Sequence, residues 1–163
     1  MKYFTIAVSL AIFSASMVNA EDIVGVAKVI DGDSIEIDGL VVQLHGISSM
    51  KPGQICDKTP YWFGGKWPCG NEAKRELESM VTGRTVTCVP VDTHYPSAGH
   101  HLRAYCSAGQ IDFQYWMVSA GLAMSSAGYS LRYEDIEAEA KSKRIGIWSS
   151  DFTPPYDWHE EDQ

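Results

Sequence analysis

No run of residues after Ala20 is long and apolar enough to cross a bilayer, so the remainder of the chain does not read as membrane-spanning. Basic residues are scarce, 13 Lys and Arg against 21 Asp and Glu for a net charge of -8, which excludes a general cationic coat for nucleic acid. Nucleic acid could bind only through a local groove. No internal repeat or low-complexity tract appears. No C-x-x-C spacing exists, and that weighs against zinc. What remains is 163 residues of ordinary globular composition, 45% apolar and 21% charged, enough for one domain.

The ends differ from the middle. Residues 1–20 carry Lys2, a short apolar run from Tyr3 to Phe13, and small residues up to Val18-Asn19-Ala20. This is the pattern of a secretory signal peptide cut before Glu21, and it predicts a secreted or periplasmic protein. Removing it leaves 12 basic residues against the same 21 acidic ones. Residues 151–163 hold two prolines and Glu160-Glu161-Asp162, the composition of an extended acidic tail, and the domain proper is 21–150.

All four cysteines lie in the exported part, and an even count in an oxidising compartment predicts two disulfides. Three connectivities are open to four cysteines. Cys56 and Cys69 bracket a loop rich in Gly, Pro and aromatics, and Cys88 and Cys106 sit in two strand-like runs, so the pairs Cys56–Cys69 and Cys88–Cys106 are favoured.

Short β-branched runs at 24–30, 34–37 and 40–47, separated by Asp31-Gly32-Asp33 and Asp38-Gly39, predict three antiparallel strands. An aperiodic loop follows over 52–70. A helix capped by Asn71 is expected over 72–81, with Ala73, Leu77 and Met80/Val81 on one face. Strands at 84–91 and 102–106 and helices at about 112–120 and 132–144 complete the order. Strands first and helices last suit an α+β fold, mainly β: a small five-stranded OB barrel with three helices packed on it.

At Val29-Ile30-Asp31-Gly32-Asp33-Ser34 the chain resembles the staphylococcal thermonuclease family. The resemblance continues in order through Gln43-Leu44-His45-Gly46-Ile47, Trp67-Pro68-Cys69-Gly70, Gly83-Arg84-Thr85-Val86, Ala104-Tyr105-Cys106, Gly121-Leu122-Ala123 and Gly146-Ile147-Trp148. The paired cysteines look like its exported bacterial branch. The resemblance implies an OB barrel with three helices and calcium-assisted hydrolysis of a phosphodiester. That chemistry needs carboxylates for the ion, an acidic residue to handle water and two arginines for the phosphate.

Residue by residue, the match is incomplete. Asp33 takes the position of the first calcium carboxylate and Asp31 that of its neighbour, while Ser48 stands at the second calcium aspartate and Ser49 at the following threonine. Lys51 stands at the water-handling glutamate, Gln43 at the first arginine and His101 at the second, with Arg103 two residues further on. So little oxygen charge implies weak Ca²⁺ binding at best, and no other cofactor is called for.

Other residues have two readings. Asp31 and Asp33 suit a turn as well as an ion site. Gln43 and His45 share a strand face, either as a polar pocket floor or with His45 simply half-buried. His94, His100 and His101 read as a solvated loop before a metal site. Tyr61, Trp62, Phe63 and Trp67 read as packing around the Cys56–Cys69 bridge or as a stacking platform for sugar or base, and Tyr115-Trp116-Met117 as core.

Two functions are thus open. One is a secreted calcium-dependent nuclease of DNA or RNA with a rebuilt site around Asp33. The other, favoured by the replaced arginines and acidic charge, is a non-catalytic binding or accessory protein. Its partner would be a polysaccharide or envelope component, since exported proteins of this family are also encoded among exopolysaccharide genes.

Overall fold

The computed structural model describes residues 21–58, 64–91, 102–126 and 128–159. The strands are β1 (Ile23–Gly25), β2 (Ala27–Asp31), β3 (Ser34–Ile37), β4 (Leu40–Leu44), β5 (Ile47–Ser49), β6 (Cys56–Lys58), β7 (Gly65–Trp67), β8 (Val86–Pro90), β9 (Leu102–Ala108), β10 (Ile111–Asp112), β11 (Ala123–Ser125) and β12 (Ser150–Asp151). The helices are α1 (Cys69–Val81), α2 (Phe113–Ser119) and α3 (Glu134–Ser142), with a 3-10 turn at Gly146–Ser149.

Seven strands form one sheet in the order β1-β8-β9-β4-β3-β2, with β10 added on β9. β4 and β9 pair in parallel, aligning Gln43 with Arg103, while the other ladders are antiparallel. The expected α+β architecture with three helices is present among the described residues. The closed barrel is not: hydrogen bonding follows an open path whose end strands, β1 and β2, are separated in the chain by Val26 alone. The strand expected over 24–30 is therefore broken at its middle, and that over 40–47 is broken at His45-Gly46.

Period-2 burial drives the assembly. β9 alternates buried and half-buried along its whole length, turning Leu102, Ala104, Cys106 and Ala108 inward. They meet Ile35, Ile37, Val42 and Leu44 from β3 and β4, Leu77 from α1, and Phe113 and Met117 from α2 in one core. Helix α2 starts where Asp112 accepts from the Tyr115 backbone N–H at 2.8 Å. Of Tyr115, Trp116 and Met117, all expected in the core, Met117 is buried, but Tyr115 and Trp116 are exposed, because successive helical residues sit 100° apart and α2 has one inward face.

The segment read as a loop over 52–70 holds structure of its own. β6 pairs with β7 and with β12, making a three-stranded sheet over a second apolar cluster of Met50, Cys56, Cys69 and Ile147, flanked by Trp67, Trp148 and Phe152. Helix α1 begins at Cys69 and has no side-chain cap; Asn71 instead accepts from the Gly53 N–H at 3.3 Å. The start of the tail is tied down as well, with the Gln54 Nε2 donating to the Thr153 carbonyl at 2.6 Å. Both expected disulfides are formed, Cys56–Cys69 and Cys88–Cys106, the second directly across the β8–β9 ladder. Trp62, Phe63, Tyr61, His94, His100 and His101 lie outside the described residues, as do residues 1–20, over which a signal peptide is expected.

Candidate functional site

The turn between β2 and β3 turns Asp33 inward. Its backbone N–H donates to Asp31 Oδ1 at 3.0 Å and its carbonyl accepts from Leu44 N–H at 2.8 Å, so the Asp-Gly-Asp turn satisfies itself locally and is stitched to β4. Gly32 permits this packing: a Cβ there would fall 2.1 Å from Ser49 Oγ. The Asp33 side chain is 1% exposed, and a buried carboxylate requires donors on both oxygens. Oδ2 accepts from Ser49 N–H at 2.7 Å, and Oδ1 accepts from Ser34 Oγ at 3.2 Å.

The third partner is Lys51. Its ammonium lies 3.0 Å from Asp33 Oδ1, 3.1 Å from Oδ2 and 3.7 Å from Asp31 Oδ2. The residue is held from behind, its N–H donating to Gln54 Oε1 at 3.0 Å and its carbonyl accepting from Gln54 N–H at 2.9 Å. Helix α1 closes the same corner, since a Cβ on Gly70 would sit 1.7 Å from the Lys51 oxygen. Sequence reading singled out Lys51 and Asp33 separately and missed that they pair.

The electrostatics follow from this burial. Desolvation pushes Asp33 up to about 6, against the pull of Lys51 and with a further push from Asp31. Asp31 is held below the ordinary range; its own burial works the other way and is outweighed by hydrogen bonds from Asp33 and the charge of Lys51. Burial also opposes the charge on Lys51, but Asp33 and Asp31 reverse that effect and raise it, so the ammonium stays protonated.

Of the other sequence-derived positions, Gln43 pairs with Ser34 on one side and Arg103 on the other, next to the pocket. Ser48 alternates to the face of β5 opposite Ser49, in register with Met124. His101 lies outside the described residues. Calcium takes about six to eight oxygen ligands. Here the carboxylates of Asp31 and Asp33 already face an ammonium, and among the described residues no three His, Cys, Asp or Glu side chains gather into a metal site. The donor set as it stands does not fit the ion that the resemblance implies.

A second arrangement lies on the other side of Gln43. Arg103 stacks over the Tyr129 ring at 4.8 Å, and the His45 ring meets Tyr129 and Tyr105 edge-on at 6.4 and 5.2 Å. Arg132 stacks over Tyr105 at 4.6 Å. Alternation on β9 would have put Arg103 and Tyr105 on one face, but nothing local marks Tyr129 or Arg132 as their partners.

Turn, sheet order and helix placement define a class here, a small α+β domain whose buried turn aspartate is paired with a lysine of its own chain. Residues 45–150 match the profile of the family described as staphylococcal nuclease homologue, and the chain belongs to that family. It is also 30% identical over 132 residues to the succinoglycan biosynthesis protein ExoI of Rhizobium meliloti (strain 1021). That alignment covers 79% of this chain and 66% of ExoI, just under two thirds of the relative's length.

Proposed function

We propose that this is an exported accessory or binding protein of exopolysaccharide production or the cell envelope, with little or no nuclease activity. The carrying observation is the Lys51 ammonium 3.0 Å from Asp33. It stands where the family resemblance calls for an acidic residue that handles water, and a protonated amine cannot take a proton from water. It also puts positive charge on the buried Asp33 carboxylate, which stands where the family resemblance calls for a calcium ligand. Losing a single charge-stabilising group costs about 10²–10³ in rate, and losses within one site do not simply multiply. Activity at least about a thousandfold below that of a member with the full site is the expectation.

The likeness to ExoI supports the exopolysaccharide side of this reading. Two buried disulfides fit the oxidising compartment to which export, with cleavage near Ala20, would bring the chain. Among the described residues no helix is long and apolar enough to cross a membrane.

The test is a gel assay of purified mature protein on single- and double-stranded DNA and on RNA, with Ca²⁺ and then with EDTA. No digestion is expected. Robust EDTA-sensitive digestion abolished by Asp33→Ala would overturn the reading in favour of a calcium-dependent nuclease with a rebuilt site. Combining Gln43→Arg, Ser48→Asp, Lys51→Glu and His101→Arg should raise Ca²⁺ affinity in calorimetry with little turnover, because productive geometry must hold to about 0.5 Å.

A further inference from the structure

We infer that the outer face of β4 and β9, with residues 128–132, binds an acidic polysaccharide: sugar rings lie against Tyr129 and Tyr105, and carboxylates sit beside Arg103 and Arg132. This deepens the proposed function and rests on it. Five side chains from three separate segments, Arg103, Tyr129, His45, Tyr105 and Arg132, form a continuous row with a guanidinium at each end and rings between.

Stability alone does not account for the row. Tyr129 is 61% exposed and its neighbour Leu131 69%, so this segment offers its surface to solvent instead of burying it. An exposed cation–π contact contributes only about 0.5–1 kcal/mol. Arg132 is committed lightly, to Asp112 at 3.3 Å with both side chains about a third or more exposed, and an incoming carboxylate can replace that partner.

Charge selects the ligand class. The chain carries 21 acidic and 13 basic residues, and a nucleic-acid strand with a phosphate on every unit meets that excess along its whole length. An acidic polysaccharide carries its carboxylates on some rings only. Two arginines suffice for those, and the apolar C–H face of a pyranose covers an aromatic ring while its hydroxyls remain in water. Guanidinium offers the forked pair of donors that a carboxylate accepts, which an ammonium does not.

The experiment is affinity electrophoresis of the mature protein in gels holding hyaluronate, which carries a carboxylate on alternate rings, neutral dextran, or a single-stranded oligodeoxynucleotide. Hyaluronate should retard it and dextran should not. Tyr129→Ala should weaken retardation by about tenfold or more with an unchanged melting temperature, Tyr129→Trp should retain it, and Arg103→Gln should weaken it and reduce its salt dependence. Absence of retardation by hyaluronate overturns the inference. Equal retardation of the Tyr129→Ala variant overturns it too, leaving the accessory role standing with its ligand elsewhere. Preferential binding of the oligonucleotide through Tyr129 would make the row a nucleic-acid surface and overturn it, whereas digestion of that oligonucleotide would sink the proposed function itself.

Discussion

The Asp33 pocket and the arginine–tyrosine row lie on opposite sides of Gln43, and they handle charge in opposite ways. Asp33 is 1% exposed and has every oxygen engaged by groups of its own chain, among them a lysine 18 residues away. Tyr129 is 61% exposed and stacks with Arg103 on a surface open to solvent. In one region the protein answers its own charge internally, which stabilises the fold and leaves nothing to offer a ligand. In the other, Tyr129 and Arg132 lie exposed in a row whose His45, Arg103 and Tyr105 are half-buried. On the proposed function, the buried carboxylate is structural and the proposed recognition chemistry lies outside it.

Breaking the pocket from behind should have the largest effect. Gly70→Ala drives a Cβ into the Lys51 carbonyl, displacing the segment that carries the ammonium; we expect a loss of about 3 kcal/mol or more in urea unfolding. Lys51→Met keeps the stem but removes the charge from a mostly buried pair, and should cost about 2 kcal/mol by the same measurement. Stability in that variant equal to the parent's would mean that the Asp33 carboxylate does not depend on Lys51 for its counter-charge.

The pH dependence sharpens the contrast further. Asp33 has its proton held up to about 6 in the fold against an ordinary 3.8, so between those values the unfolded chain gives the proton up first. The stability due to this group is complete below pH about 4 and drains away as pH rises toward 6. Asp33→Asn should flatten that part of the profile when the two unfolding curves are subtracted. The smallest effect belongs to the row: Tyr129→Ala should change unfolding free energy by no more than about 0.5 kcal/mol. A larger loss would make the row a structural element, and its separation from the pocket would collapse.

Much of the fold was legible because it is local. Asp38-Gly39 joins β3 to β4 as its turn chemistry suggests, and both cysteine pairs lie close in the chain, bridging separations of 13 and 18 residues. Ala73, Leu77, Met80 and Val81 are buried on α1 as their spacing implies. Helix α1, however, starts at Cys69 because the bridge and the tight approach of Gly70 to Lys51 hold that turn, while Asn71 serves Gly53 instead of capping. The β6–β7–β12 sheet escaped notice since its third strand comes from residue 150 onward, far beyond any local pattern.

The site divides along the same line. Residue types alone determined which groups are absent: Ser48, Lys51 and Gln43 stand where the family resemblance asks for two carboxylates and an arginine, and no folding can change a side chain's chemistry. What those substitutes do was decided by tertiary packing. Lys51 could have pointed to solvent, but the turn that buries Asp33 leaves a carboxylate in need of a counter-charge, and Gln54 and Gly70 hold Lys51 within reach. Likewise, the parallel register of β4 with β9 and the approach of residues 128–132 brought His45, Arg103, Tyr105, Tyr129 and Arg132 into one row. Sequence periodicity reaches only along a strand or helix, whereas contacts between segments depend on how the elements bury their apolar faces together.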